Sequence, residues 1–179
     1  MNRFRFGPAR AGETTVFGAH RPGYSANSVG PEPVREWIAF MATSGIRRVC
    51  CLLPPEQLAY YRIDLLEEYR RSFDPSNVCS VAVEDYHLCE PGLIDKVVIP
   101  FLVASDGAAA PVVVHCSGGS GRTGHVLAAW LVRHRGLSVD EALAAVVATG
   151  RNPREAVQCG NATENQLRML LLGAPETAV

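Results

Sequence analysis

The chain has 179 residues, enough for one domain with its own core. Its 17 Lys and Arg against 18 Asp and Glu leave a formal charge of −1 with the two signs interspersed, which excludes a basic nucleic-acid surface and a polybasic membrane face. No apolar run reaches spanning length and the start, MNRFRFGPAR, lacks the apolar core of a signal peptide, so a cytoplasmic location with reduced cysteines is expected.

In chain order, Thr14-Thr15-Val16-Phe17 predicts a first short strand and Arg21-Pro22-Gly23 the loop after it. Val34, Trp37, Ile38 and Met41 recur with a helical period over residues 33–44, and Gly45 is a good stop. The apolar run at 49–53 predicts a buried strand. Pro54-Pro55-Glu56 then opens a helix to about Arg71, with prolines tolerated at its first positions. A third strand is expected at 78–83 and a helix at 93–103, broken by Asp106-Gly107. Val112-Val113-Val114-His115 is a fourth strand without alternation, hence buried on both faces. Residues 123–135 are apolar nearly all round, the mark of a central helix. Ser138-Val139-Asp140-Glu141 is a capping box for the next helix, which ends near Thr149-Gly150. A last amphipathic helix covers 163–172.

Strands alternating with helices predict an α/β fold. Its mostly parallel central sheet of four to five strands is flanked by helices on both faces, in a single domain over residues 1–179. Sites in such sheets form beyond the carboxyl ends of the strands. Arg21 follows the first strand, Asp85 the third and Cys116 the fourth, so residues far apart in sequence can converge. Six cysteines (Cys50, Cys51, Cys79, Cys89, Cys116 and Cys159) contain no C-x2-C pair, which argues against structural zinc and for small buried hydrophobes.

Cys116 has different company. Gly118, Gly119 and Gly121 permit positive φ and close backbone approach, so the N–H groups of Ser117, Gly118, Gly119, Ser120, Gly121 and Arg122 can point inward as an anion nest. The buried helix starting near Arg122 adds its N-terminal partial charge. Arg122 supplies a planar, two-pronged donor for two phosphate oxygens. At the base of this positive bowl the thiolate form of Cys116 is favoured, a nucleophile beneath a bound phosphate. Thr123 can donate its hydroxyl to the sulfur. His115 is a strand-end core histidine that can also steady loop carbonyls, a supporting part. A nucleotide-binding Walker loop needs Gly at 116 and Lys at 122, and has neither.

His115-Cys116-Ser117-Gly118-Gly119-Ser120-Gly121-Arg122-Thr123-Gly124 resembles the H-C-x5-R-[ST]-G signature of the cysteine-dependent protein tyrosine phosphatases. The short chain is most similar to their compact dual-specificity branch. The resemblance runs from about Thr14 to Leu172, with only the loop highly specific. It implies a metal-independent, cofactor-free phosphatase acting through a phosphocysteine on Cys116. Its substrates would be proteins phosphorylated on Tyr, with Ser and Thr added if the pocket is shallow. Phosphate, sulfate or vanadate would occupy the loop, and neither nucleic acid nor membrane is an expected partner. The family places an acid on a loop upstream of the cysteine, commonly before an aromatic. Asp85-Tyr86 matches and makes Asp85 the general acid, then the base for water, with Glu84 as runner-up and His87 as a plain loop residue.

Relatives also place the hydrolytic water with a polar side chain from a later loop. Gln166 is a candidate with Asn161 nearby, but Thr163-Glu164-Asn165-Gln166 is itself a capping box, the reading favoured here. Arg151 and Arg154 fit either the site entrance or a solvated surface. Some relatives protect the catalytic thiol by a disulfide to a backdoor cysteine, a role open to Cys50 or Cys51. Core packing suits at least one of them, since neighbours in a strand face opposite ways. Two other readings stay open: a phosphate-binding module without turnover, and a phosphatase for a non-protein phosphate such as a phosphoinositide. The five positions between Cys116 and Arg122 hold no Lys or Arg, which speaks against a polyanionic substrate.

Overall fold

In the computed structural model, which describes residues 3–173, a five-stranded sheet carries helices on both faces. The strands are β1 (Gly7–Pro8), β2 (Val16–His20), β3 (Arg48–Cys51), β4 (Val78–Ser80) and β5 (Val112–Cys116), side by side in the order β1-β2-β5-β3-β4. The helices are α1 (Pro31–Thr43), α2 (Pro55–Leu58), α3 (Leu65–Phe73), α4 (Pro91–Leu93), α5 (Ile99–Gly107), α6 (Gly121–Arg135), α7 (Val139–Ala148), α8 (Glu155–Gln158) and α9 (Glu164–Leu172). The fold is thus α/β and its sheet mostly parallel, as the alternating pattern predicts. Only β1 runs antiparallel to its neighbour.

Strand β5 is central, and all five of its residues are buried. Cys50, Val114 and Cys116 share one apolar cluster with Val126, Leu127 and Trp130 of α6. Val49, Cys51 and Val113 share the other with Trp37 and Met41 of α1 and Tyr69 of α3. Both sides of β5 are therefore dry, which accounts for its unbroken apolar run. The register pairs Cys116 with His20 and His115 with Cys51, so the thiol sits at the carboxyl edge of the sheet.

Several boundaries differ from the sequence reading. The first strand lies two residues later, and β1 pairs beside it as an added edge. The single helix expected from Pro54 to about Arg71 is two, α2 and α3. Between them Tyr61 bridges to Val29 and donates its hydroxyl to the Pro22 carbonyl, while Asp64 caps the Glu67 N–H to start α3. The third strand ends at Ser80 rather than Val83. The helix expected at 93–103 extends over 91–107, with Ile94–Val98 wound as a π-turn just before Pro100, which has no N–H to continue the ladder. Short α8 carries no periodic signal and is not expected from the sequence. Both capping boxes, Ser138 with Glu141 and Thr163 with Gln166, are formed. Among the described residues, no helix is long and apolar enough to cross a membrane.

Candidate active site

The turn from β5 into α6 carries the site. Gly119 has φ +66°, and a Cβ there would lie 2.5 Å from the Ala19 carbonyl oxygen, so only glycine fits between the loop and β2. Gly118 and Gly121 have no positive φ. At Gly121 the need is for close approach, because a Cβ would lie 2.0 Å from Glu155 Oε2. Two loop carbonyls are held by arginines. The Arg21 N–H donates to the Ser117 carbonyl at 3.0 Å, and the Arg5 guanidinium to the Gly118 carbonyl at 3.1 Å. Among the described residues, the N–H groups of Ser117, Gly118, Gly119 and Ser120 donate to no backbone acceptor. An inward ring of such donors is an anion nest. Gly119→Ala is expected to lower stability by about 1–3 kcal/mol through backbone strain and to weaken vanadate binding, read by denaturant unfolding and by titration. Unchanged values in both would overturn this account of the loop.

At the base of the loop Cys116 is 2% exposed, and Thr123 donates its hydroxyl to the Cys116 sulfur at 3.2 Å. His115 is fully buried. Its Nε2 shares a 3.1 Å hydrogen bond with the Tyr69 hydroxyl, and Nδ1 lies 3.3 Å from the Cys116 carbonyl. Burial pushes the imidazole down to about 3, so it is neutral and suited to holding backbone rather than moving protons.

Arg122 is as buried as the cysteine. Its Nη1 donates to Gln57 Oε1 at 2.9 Å and to the Val83 carbonyl at 3.0 Å, and its Nη2 pairs with Asp85 at 2.8 Å. Gln57 in turn donates to the other Asp85 oxygen at 3.0 Å, closing a ring of three side chains. Asp85 is therefore inside the site, with 44% of its side chain exposed. Glu84 points away: its side chain is 79% exposed, and its nearest ionic neighbour is exposed His87 at 3.8 Å. Tyr86 takes φ +60° and offers its carbonyl to Asn161 Nδ2 at 3.0 Å, which ties the acid loop to the chain beyond α8.

A cavity of about 320 Å³ joins Cys116, Ser117, Gly118, Ser120, Gly121, Arg122 and Asp85. Its wall also includes Arg5, Tyr24, Tyr86 and Glu155. Of these four the sequence marks only Tyr86, as the aromatic after the acid. Gln57 is missed as well, because nothing local distinguishes a polar residue in a short helix.

Other candidates have different work. Arg21 is 2% exposed and binds the Ser117 hydroxyl and the carbonyls of Pro22, Gly23 and Ala26, so it braces the loop from behind. Arg151 is neither at the entrance nor solvated: it is buried against the carbonyls of Arg5, Gly7 and Gly18, and burial lowers it to about 10. Arg154 pairs with Glu164 at 3.0 Å. Gln166 Oε1 accepts from the Thr163 N–H at 2.8 Å, and the residue lines a different hollow with Leu88 and Met169. Cys50 shares the apolar cluster of Cys116, whereas Cys51 is on the opposite face. A hydrogen bond with Cys79 and burial push the Cys50 thiol up, and burial pushes Cys51 to about 12, so both are protonated core thiols.

A buried thiol at the carboxyl edge of a parallel sheet, under a nest closed by arginine, places the chain in the class of cysteine-dependent phosphatases. The chain belongs to the family described as PTP-SAK, Swiss Army Knife protein, DSP-PTPase phosphatase domain, whose family model matches residues 29–168. No curated protein matches the sequence. Solved structures show the same fold. Tk-PTP in its active form is 23% identical, with 87% of this chain and 92% of that chain covered at a TM-score of 0.64. PTPMT1 in complex with PI(5)P is 14% identical, covering 93% and 94% at 0.66. TpbA of P. aeruginosa, as a cysteine-to-serine variant in complex with pTyr, is 16% identical, covering 90% and 88% at 0.53.

Proposed function

We propose that the protein hydrolyses phosphotyrosine in proteins, without a metal ion, through a phosphocysteine on Cys116. The observation that carries this reading is the meeting of Cys116, Arg122 and Asp85 in one small cavity. Cys116 Sγ attacks phosphorus, and the loop amides with Arg122 hold the three equatorial oxygens where charge accumulates. A phosphate docking on Arg122 takes the place Asp85 holds on the guanidinium. The displaced carboxyl, as the acid, is then free to protonate the departing ester oxygen. Thr123 donates to sulfur, which stabilises the thiolate as nucleophile and as leaving group in the second step. Water then cleaves the phosphocysteine and releases phosphate.

Tyr24 and Tyr86, each 50% exposed on the cavity wall, support an aromatic substrate, since a phenyl ring gains by packing on exposed aromatic rings. Removing both (Tyr24→Ala with Tyr86→Ala) is expected to raise KM for aryl phosphates about tenfold, roughly 1.4 kcal/mol, with kcat nearly unchanged. An unchanged KM would remove this support.

Arg5 favours a second reading. It places on the cavity wall a cation that the loop itself lacks, which suits a substrate with a further phosphate such as a phosphoinositide. The two readings separate in one assay, with EDTA present, on a phosphotyrosine peptide and on vesicles containing a monophosphorylated inositol lipid. Preference for the peptide, unaltered by Arg5→Ala, sustains the first. Preference for the vesicles, lost in Arg5→Ala, sustains the second. Inactivity on both, or a need for metal, overturns the phosphatase reading.

A further inference from the structure

A second hollow adjoins the catalytic cavity. It encloses about 980 Å³ and shares Arg5, Tyr24 and Gly118 with the wall of that cavity. The N-terminal segment, residues 5–11, forms one side, and Leu137, Ala145, Ala148 and Arg151 around α7 form the other. A hollow of this size, with apolar walls and a few polar groups, has room for a ligand.

Its charged side chains are all of one sign: Arg5, Arg10 and Arg151 line it, and no Asp or Glu does. The three arginines are differently engaged. Arg5 donates to the Gly118 carbonyl at the shared wall. Arg151 commits both Nη atoms, to the Thr149 hydroxyl and to the carbonyls of Arg5, Gly7 and Gly18. Arg10, by contrast, has no ion pair or side-chain hydrogen bond among the described residues, and its Nε is buried without a partner. The acid next to it in sequence, Glu13, is taken up by Arg135 and by the Thr15 N–H. A guanidinium left in this state on an acid-free wall is matched by a carboxylate from outside the chain.

The sheet register sets its distance from the nucleophile. Cys116 pairs with His20 and Val112 with Val16, at the far end of β2. The Ala9 N–H donates to the Val16 carbonyl at 2.9 Å, so Arg10 follows at the level of Val16. From the level of His20 to that of Val16 the strand rises about 13 Å. An extended peptide rises at nearly the same rate. A chain laid along the hollow from a phosphotyrosine over Cys116 therefore brings roughly its fourth neighbour to Arg10.

We propose that Arg10 is a specificity-determining residue that binds an acidic side chain about four positions from the phosphotyrosine of a protein substrate, an inference that rests on the phosphotyrosine reading above. The hollow takes the intervening peptide against its apolar walls, and the guanidinium forms charge-assisted hydrogen bonds to the carboxylate. Arg10 is not on the wall of the catalytic cavity, so it acts on substrate binding and not on the chemistry.

Phosphotyrosine peptides with a single Glu in a neutral background, moved stepwise away from the phosphotyrosine on either side, test this with the full chain. For the wild type, kcat/KM is expected to peak by about tenfold with Glu roughly four positions away on one side. Arg10→Ala should level the series, Arg10→Lys should keep part of the peak, and Arg10→Glu should transfer the gain to peptides with Lys at that position. Turnover of p-nitrophenyl phosphate, which is too small to reach the hollow, should match the wild type in all three variants. Equal rates along the wild-type series overturn the proposal. So does a gain spread evenly over all positions, which overall charge alone would give, and so does a peak that survives Arg10→Ala. A fall in p-nitrophenyl phosphate turnover as large as the loss on the favoured peptide would make Arg10 a structural residue and overturn it too. A wild type that hydrolyses p-nitrophenyl phosphate but none of the peptides would overturn the phosphotyrosine reading, and this one with it. Hydrolysis of neither would overturn the phosphatase reading itself.

Discussion

Cys116→Ser is expected to lower turnover of aryl phosphates by at least about 10⁴-fold while vanadate or phosphate still binds. The expectation follows from the separation of parts in the site. The cradle consists of the backbone of residues 117–121 and the side chain of Arg122, and none of these depends on sulfur. Arg122 is positioned by Gln57, the Val83 carbonyl and Asp85, and Gly119 by its fit under β2. Serine is close to cysteine in volume, and its hydroxyl can still take the 3.2 Å hydrogen bond from Thr123. What disappears is the sulfur nucleophile, because an alcohol is a far weaker nucleophile than a cysteine sulfur and its alkoxide a far poorer leaving group for the second step. Binding and chemistry should therefore part. Retained turnover in Cys116→Ser would exclude a phosphocysteine, and loss of vanadate binding along with activity would mean that the loop had collapsed.

Asp85→Asn is expected to slow the first step by about 10²–10⁴-fold on a phosphotyrosine peptide, the range of a lost general acid. The loss should be smaller on p-nitrophenyl phosphate, because a more acidic phenol needs less help in leaving. That dependence on the leaving group is the decisive readout, since a residue that only positions Arg122 would impair both substrates alike. Asparagine keeps one oxygen for Arg122, while its amide nitrogen meets Gln57 Nε2 donor against donor, so only that edge of the ring opens and the guanidinium keeps its other partners. Glu84→Gln is the control. Its exposed side chain, facing His87 and outside the cavity wall, predicts activity near the wild type. A larger loss from Glu84→Gln than from Asp85→Asn would transfer the acid's role to Glu84.

The legible parts of the fold are those whose cause is local. The run Val112-Val113-Val114 reads as a strand covered on both sides because both faces of β5 are dry. Ser138 with Glu141 and Thr163 with Gln166 read as helix starts because a capping box is closed within four residues. The break between α2 and α3 is hidden because its cause is distant: Tyr61 leaves the helical path to meet Val29 and Pro22. β1 is hidden for the same reason, since two residues such as Gly7 and Pro8 become a strand only beside β2.

The candidate site divides in the same way. The sequence by itself marks the proposed cradle and nucleophile, because Cys116, the glycines, Arg122 and Thr123 belong to a backbone turn that is contiguous in the chain. Asp85 is read as the acid, ahead of Glu84, from the aromatic that follows it, and the fold adds that its carboxylate sits on Arg122 while its neighbour is turned to solvent. Arg5, Tyr24, Gln57 and Glu155 were decided only by the fold. Each comes from a segment whose own pattern says nothing of phosphate, and each reaches the loop because parallel strands deliver distant connections to one edge of the sheet. A nest of amides is local geometry, whereas the charges and rings that surround it are assembled across the whole chain.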